Sequence, residues 1–330
     1  MKKISIVTIN NPSLKSAQNL SCYLTKYEVK IFAKNRDFKK LDDILPIVWE
    51  KSDAVIFIMA IGAVIRKIAP FLKDKTTDPA ILVVSLDLLK IIPLLGGHLG
   101  GANELALEIS SKIKGCIPFI TTATDQTKTL SFDTFAKKRG FEIENIDKLA
   151  FISNSMINQK EIKTATYKKL FETIENRKYL KLIDFKDIDE KSVLISPFSS
   201  SIKPLTLKPP VFLGIGCNRD ISLDIMEKSV KEFLKKHSLK FSQIKNIASF
   251  EAKKDEKALL KFAQKYDFDI KFFDKKNINL LKYDFTPSKA KEFFAVKGVA
   301  EPSALLLSKY HELVIKKEVF YNSVTIAAAI

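Results

Sequence analysis

Over the first 125 residues the chain alternates between short apolar runs and longer amphipathic stretches. The apolar runs are Ile4 to Ile9, Val29 to Ala33, Ala54 to Ala60, Ala80 to Leu86 and Pro118 to Thr122. Their near-continuity is what strands covered on both faces require. Between them, Ser13 to Tyr27, Lys39 to Lys51, Ala63 to Leu72 and Ala102 to Lys114 read as helices. In the last of these Leu105, Ile109 and Ile113 fall one turn apart, and Asn103 and Glu104 supply a cap and an acid at its start. Strand and helix in alternation predict an N-terminal α/β domain over 1–125 built on a doubly wound, mostly parallel sheet.

The pattern weakens from 126 to 208, where short strands at Lys148 to Ile152 and Ser192 to Ser196 and a helix at Tyr167 to Arg177 predict a small α/β middle region. Ser196 to Pro204 and Lys208-Pro209-Pro210 have the composition of a linker. A second α/β domain is expected over 209–330. It has a strand at Val211 to Gly216, helices at Ser222 to Lys236, Asp255 to Tyr266 and Glu301 to Tyr310, and a strand at Asp269 to Phe273. Leu313 to Phe320 and Val324 to Ile330 would close it as an antiparallel pair.

Composition narrows the setting. The longest apolar stretch, Ala54 to Ile65, is twelve residues and ends at Arg66, short of the roughly 20 that span a bilayer. The apolar start of the chain stops at Asn10-Asn11-Pro12, before a secretory signal is complete. A cytoplasmic protein without a membrane partner is expected. Cys22, Cys116 and Cys217 are far apart and form no metal-type pair. The net charge is +17. Of the 55 Lys and Arg residues only five are arginine (Arg36, Arg66, Arg139, Arg177 and Arg219), so fifty are lysine. Nucleic-acid readers concentrate arginine for bidentate contacts, whereas these lysines are spread along solvated helix faces. No nucleic-acid partner is expected, and what remains of the charge is a mild preference for an anionic ligand.

Glycine is scarce, with ten in 330 residues, so its positions are informative. Gly96-Gly97-His98-Leu99-Gly100-Gly101 leads from a strand into a helix whose first turn holds Asn103. Paired glycines let backbone N–H groups approach a ligand, and a helix start favours negative charge. His98, isolated between the glycine pairs and without metal-ligand companions, suits general acid/base chemistry. Gly62 and Arg66 follow another strand and lead to Lys75 and Asp78, where an arginine suits a carboxylate clamp. Thr121, Thr122 and Asp125 offer hydroxyls and a carboxylate at a third strand end. Gly214-Ile215-Gly216-Cys217-Asn218-Arg219 lacks the last glycine of a dinucleotide fingerprint and presents Arg219 instead. Glu251 lies at a helix start, and Glu301, just after Gly298, is either a cap or a catalyst. No metal or cofactor site is encoded.

Six of these segments occur in one order: Ala60-x-Gly62…Arg66-x-Ile-Ala-Pro70, Lys75-x-x-Asp78-Pro79-Ala80, Leu95-x-Gly97-His98-Leu-Gly-Gly-Ala-Asn103, Thr121-Thr-Ala-Thr-Asp125, Gly214-Ile-Gly-Cys-x-Arg219 and Gly298-Val-Ala-Glu301. Together they resemble the cobalt-precorrin-5A hydrolase family of anaerobic cobalamin biosynthesis over essentially the whole chain. Gly96 stands where that family usually shows serine, and Pro302 where many of its members carry a small residue. The resemblance implies opening of the δ-lactone of cobalt-precorrin-5A with release of acetaldehyde to give cobalt-precorrin-5B. The anionic tetrapyrrole brings its own cobalt, so no further cofactor is implied. Lactone opening needs an activated water and donors for the oxyanion. His98 is then the expected base, with Asp125 or Glu301 as its replacement, and the backbone N–H groups of 97 to 101 are the expected oxyanion donors. Gly62, Arg66, Lys75, Asp78, Gly97, Gly100, Gly101, Asn103, Thr121, Thr122, Gly214, Gly216, Arg219 and Glu251 are expected to contact substrate. A non-catalytic tetrapyrrole carrier would use the same anion sites, and a homodimer or neighbouring pathway enzymes are the protein partners left open.

Overall fold

The computed structural model describes residues 2–74, 76–121, 129–288 and 290–330. They form two compact units, 1–129 and 130–330.

The first unit holds β1 (Lys3–Thr8), α1 (Asn11–Ser21), β2 (Glu28–Ala33), α2 (Leu41–Lys51), β3 (Ala54–Ile58), α3 (Ile61–Ile68), β4 (Ala80–Val84), β5 (Lys90–Leu95), α4 (Ala102–Lys112) and β6 (Ile117–Pro118). Its sheet has the order β2-β1-β3-β4-β5-β6. Side chains alternate across it. Ile4, Ile6, Ile56, Ile58, Leu82 and Val84 pack on Ala17, Leu20, Leu105 and Ile109 of α1 and α4. Val7, Val55, Phe57, Ile81 and Val83 face Ile44, Leu45, Val48 and Val64 of α2 and α3. The continuous apolar runs therefore have the two-sided burial they imply.

One strand alters the topology expected from the sequence. β5 joins β4 through a tight turn and runs antiparallel to it, pairing Ile81 with Leu95 and Val84 with Ile91, and β6 runs parallel to β5. The carboxyl ends of β5 and β6 therefore leave the sheet at the edge where β1, β3 and β4 begin.

The second unit carries two five-stranded sheets. The first contains α5 (Phe132–Arg139), β7 (Glu142–Glu144), α6 (Leu149–Ile157), β8 (Ile162–Thr166), α7 (Lys168–Glu172), β9 (Leu180–Ile183), β10 (Val193–Ile195) and β11 (Leu205–Lys208). Its order is β7-β11-β10-β8-β9, parallel except for β7. The segment from Lys148 to Ile152, expected as a strand, enters a helix instead, because Leu149, Ile152 and Met156 fall on one helical face and are all buried. The expected linker contributes β11, in which Lys208 is buried and meets Glu144 at 2.7 Å.

The second sheet contains β12 (Val211–Cys217), α8 (Leu223–Lys236), β13 (Ile244–Phe250), α9 (Lys257–Lys265), β14 (Lys271–Phe273), α10 (Lys275–Leu280), α11 (Ala290–Phe294), α12 (Ala300–Leu307), β15 (Leu313–Phe320) and β16 (Val324–Ala329). Its order is β14-β13-β12-β16-β15; β12 to β14 are parallel and β15–β16 is an antiparallel hairpin. Tyr321 and Asn322 have φ of 48° and 50°, which gives that hairpin the positive-φ turn its twist requires. Met226, Val230, Phe233, Leu259 and Phe262 of α8 and α9 bury one face, in a core shared with Phe132, Ile152 and Ile195 of the middle region. The middle region thus packs as part of the same unit as the C-terminal sheet. Among the described residues no helix is long and apolar enough to cross a membrane.

Candidate functional site

In the first unit the reversal at β5 sorts the expected site residues. Asp78 lies just before β4, the Gly96–Gly101 loop just after β5, and Thr121 shortly after β6. All three segments leave the sheet at one edge, and a Cβ on Gly96 would come 3.2 Å from the Cα of Ala80. Gly62, at the start of α3, lies at the opposite edge, where β3 ends. Arg66 folds back on its own helix, donating from Nη1 to the Gly62 carbonyl at 3.1 Å. Asp78 accepts the backbone N–H of Lys73 with both oxygens, at 3.2 and 3.1 Å, and so braces its own loop. Lys75, Thr122 and Asp125 lie outside the described residues.

The glycine loop is closed more tightly than an open anion cradle would be. The N–H groups of Ala102 and Asn103, in the first turn of α4, donate to the carbonyls of Gly96 and Gly97 at 3.0 and 3.1 Å. Two of the helix's orphan donors are therefore satisfied from within the chain. Gly96 and Gly101 have φ of 68° and 87°, and a Cβ on Gly100 would meet the Gly96 carbonyl at 2.7 Å. Asn103 is buried, its amide oxygen 3.0 Å from where a Cβ on Gly97 would lie. His98 is half-buried on this loop. Behind it, Gly100 and Gly101 line a cavity of about 210 Å³ with Lys2, Lys26, Asp53, Glu104 and Glu108, whose carboxylates outnumber its ammonium groups.

The second unit has a cavity of about 750 Å³ at the carboxyl end of β12, the edge where open α/β sheets bind ligands. Gly216, Cys217, Asn218 and Arg219 form its floor, Lys253 enters from the turn after β13, and Lys317, Val319 and Thr325 come from the closing hairpin. Phe293 and Phe294 of α11 add an aromatic wall. Asn218 holds the hairpin in place: its N–H donates to Ser323 O at 2.8 Å and its side-chain amide to Asn322 O at 3.2 Å. Burial pushes the Cys217 thiol up to about 11, so it is a thiol at neutral pH.

Glycine serves packing as well as access here. A Cβ on Gly214 would lie 1.8 Å from the Ala300 carbonyl oxygen, so Gly214 lets α12 lie directly on β12 rather than facing a ligand. Gly216 is the glycine that lines the cavity. Arg219 is tied down: Nη1 donates to Asp255 Oδ1 at 2.5 Å and Nη2 to Ala252 O at 2.7 Å. Their hydrogen bond holds the arginine's affinity for its proton above the ordinary value and the aspartate's below it. Glu251 is exposed and accepts the N–H of Lys275 at 3.4 Å. Glu301 is only 2% exposed. It accepts the Thr286 N–H at 2.8 Å, the Thr286 hydroxyl at 2.7 Å and the Lys317 N–H at 2.9 Å. It therefore acts as a crossbar under two cavity-lining segments. Lys317 in turn donates from Nζ to Pro287 O at 2.5 Å. Phe293, Phe294, Lys253 and Lys317 were not singled out by sequence, since one lysine among fifty carries no signal. Among the described residues no group of His, Cys, Asp and Glu is placed to hold a metal ion.

The second unit is thus an α/β domain with a cavity at strand carboxyl ends whose lining combines cations with aromatic rings. Comparison with known proteins gives that class a family. The description "Cobalamin synthesis G N-terminal" matches residues 43–125 and "Cobalamin synthesis G C-terminus" matches 211–329. The chain belongs to the cobalamin synthesis G family. It is 29% identical over 363 aligned positions to a cobalt-precorrin-5A hydrolase of Priestia megaterium, covering 99% of this chain and 94% of that protein. A cobalt-precorrin-5A hydrolase of Salmonella typhimurium is 28% identical over 78% of this chain and 76% of its own length. A solved structure from Sulfolobus solfataricus, described as a cobalamin biosynthesis protein G homologue, is 24% identical, covers 99% of this chain and 96% of its own, and has a TM-score of 0.42.

Proposed function

We propose that this protein is a cytoplasmic hydrolase of cobalamin biosynthesis that opens the δ-lactone of cobalt-precorrin-5A and releases acetaldehyde, leaving cobalt-precorrin-5B. The observation that carries this reading is the 750 Å³ cavity of the second unit, within the roughly 300 to 1,000 Å³ range of small-molecule sites. Its cations suit the acetate and propionate side chains of such a macrocycle, and Phe293 and Phe294 suit its ring. The hydrolase named in the relatives adds the reaction. The cobalt arrives as part of the substrate.

Hydrolysis adds water to the lactone carbonyl, breaks the ester C–O bond and returns a proton to the departing alkoxide. The bond from the freed carbinol carbon to the ring then breaks, the hydroxyl losing its proton as acetaldehyde forms and the ring carbon taking a proton in its place. Within the first unit, His98 is the group proposed to take the first proton as general base and its glycine loop the proposed source of backbone donors to the oxyanion; the cavity of the second unit is proposed for binding alone. The bonds from the Ala102 and Asn103 N–H groups to the Gly96 and Gly97 carbonyls hold the glycine loop in one conformation. The test is anaerobic incubation of the purified protein with cobalt-precorrin-5A, with mass spectrometry of the macrocycle and trapping of acetaldehyde. An unchanged macrocycle and no aldehyde would refute the reading.

A carrier is the second reading. Among the described residues the C-terminal cavity is lined by no histidine and no carboxylate, as a purely binding site would be. Tight binding of the macrocycle without aldehyde release would favour it.

A further inference from the structure

The three cations of the C-terminal cavity are not equivalent. Arg219 spends its guanidinium on Asp255 and the Ala252 carbonyl, and Lys317 spends its ammonium on the Pro287 carbonyl. Lys253 differs from both. It closes the short turn after β13, is 8% exposed, and lines the cavity beside Gly216, Cys217 and Phe294. Its backbone carbonyl accepts the Glu256 N–H at 3.1 Å, but among the described residues its ammonium makes no hydrogen bond and pairs with no carboxylate. Glu256, buried nearby, directs Oε1 to the Asp220 N–H at 3.1 Å. The Lys253 stem is buried while its ammonium nitrogen keeps solvent contact and is committed to no protein acceptor among the described residues. A bound carboxylate can therefore pair with it without breaking a bond already made.

We propose that Lys253 is the anchoring cation of this cavity, pairing with one side-chain carboxylate of an anionic tetrapyrrole whose ring lies against Phe293 and Phe294. The inference rests on the tetrapyrrole reading given above and adds a residue to it. Phe293 is 75% exposed and Phe294 40% exposed, so an apolar face that can receive a flat ring lines the same cavity as the uncommitted ammonium. A charge-assisted pair shielded from water is stronger and less sensitive to salt than one at the surface. Arg219 and Lys317 would then serve to shape the rim while Lys253 provides most of the selectivity for charge.

The experiment uses the full chain and uroporphyrin, a commercial porphyrin with acetate and propionate side chains, with binding followed by fluorescence. Its fully esterified form, which has the same ring and no charge, serves as the control. Lys253→Met, which keeps the volume, is expected to weaken uroporphyrin roughly 10- to 100-fold and to leave the weak binding of the ester unchanged. Lys253→Arg should restore most of the affinity, and thermal unfolding confirms that each variant is folded. Equal uroporphyrin affinity for the native chain and Lys253→Met overturns the inference, as does a parallel loss of ester and acid. Turnover of cobalt-precorrin-5A separates the two levels. If the native chain releases acetaldehyde and Lys253→Met does so with unchanged KM, the anchor fails and the hydrolase reading stands. If the native chain binds through Lys253 and releases nothing, the anchor stands and the hydrolase reading fails.

Discussion

Tyr27 donates its phenolic hydrogen to Glu108 at 2.6 Å across the core edge of the first unit, joining the loop after α1 to the middle of α4. Lys112 and Lys26 meet the same carboxylate at 2.9 and 3.1 Å. Burial raises the tyrosine first and its bond to Glu108 raises it further, to about 12. Burial pulls the glutamate upward too, but the bonds from Tyr27, Lys112 and Lys26 outweigh it and bring it down from 4.5 to about 2.

The sign of the pH dependence follows. A carboxylate held below its unfolded value stabilises the fold above pH 4.5 and loses that contribution as pH falls toward about 2. Glu108→Gln is expected to cost about 1 to 2 kcal/mol at neutral pH, after allowance for solvent screening, and almost nothing near pH 2. Tyr27→Phe should show the mirror effect, with its penalty present below pH 10 and fading as pH rises through about 12. Urea unfolding of both variants across pH checks the pair. A Glu108→Gln penalty that is flat from pH 7 to pH 2 would contradict this assignment.

Gly214 makes a sharper prediction. Its missing side chain leaves the space occupied by the Ala300 carbonyl, 1.8 Å from an added Cβ, and backbone cannot step aside as a flexible side chain can. Gly214→Ala should cost at least about 3 kcal/mol, beyond ordinary overpacking. Gly298→Ala, whose added Cβ would be no closer than 3.6 Å to Pro302, is expected to cost less than about 1 kcal/mol. Thermal unfolding of the two variants compares them directly.

Glu301 is predicted to position rather than to catalyse. Glu301→Ala removes three hydrogen bonds, accepted by two carboxylate oxygens, from a buried site and should destabilise the second unit by roughly 2 to 4 kcal/mol. Glu301→Gln keeps one carbonyl oxygen for Thr286 or Lys317. In a turnover assay it should raise KM while leaving kcat within a few-fold of the native value. A hundredfold loss of kcat at unchanged KM would instead make Glu301 part of the chemistry.

His98→Gln tests the proposed base. Lactone opening, read as acetaldehyde formed per enzyme, should fall at least roughly a hundredfold, with substrate binding preserved. Near-native turnover would remove His98 from that role and direct attention to Asp125.

β1, β3 and β4 could be read from sequence because each is a near-continuous apolar run, and the two-sided core confirms the reason; β2, at the sheet edge with Glu28 and Lys30 exposed, showed itself through Val29, Ile31 and Phe32. β5 was hidden. Lys90-Ile91-Ile92-Pro93-Leu94-Leu95 carries a proline, and the turn before it, with Leu88 at φ 62°, has no glycine or asparagine to mark it. The middle region was hidden for a different reason: its strands are three to five residues long, and Lys163, Thr164 and Thr166 break the apolar pattern of β8. Scarcity drew attention to glycines such as Gly100 and Gly214, where an added Cβ would clash with backbone, but it could not distinguish a glycine lining a cavity from one under a helix. Gly216 and Gly214, two residues apart, are one of each. Rarity also drew attention to Arg219, whose charge is spent on Asp255, and away from Lys253, because burial leaves no mark on composition.

The hairpin between β4 and β5 makes the first sheet a partition. β4 is five residues long, so about 16 Å of strand separates the rim where Gly62 begins its helix from the rim where His98 stands. A molecule seated against one rim meets none of the backbone at the other. The two motifs therefore stand a strand's length apart, and a side chain changed at Gly62 or Arg66 does not touch the backbone of the His98 loop.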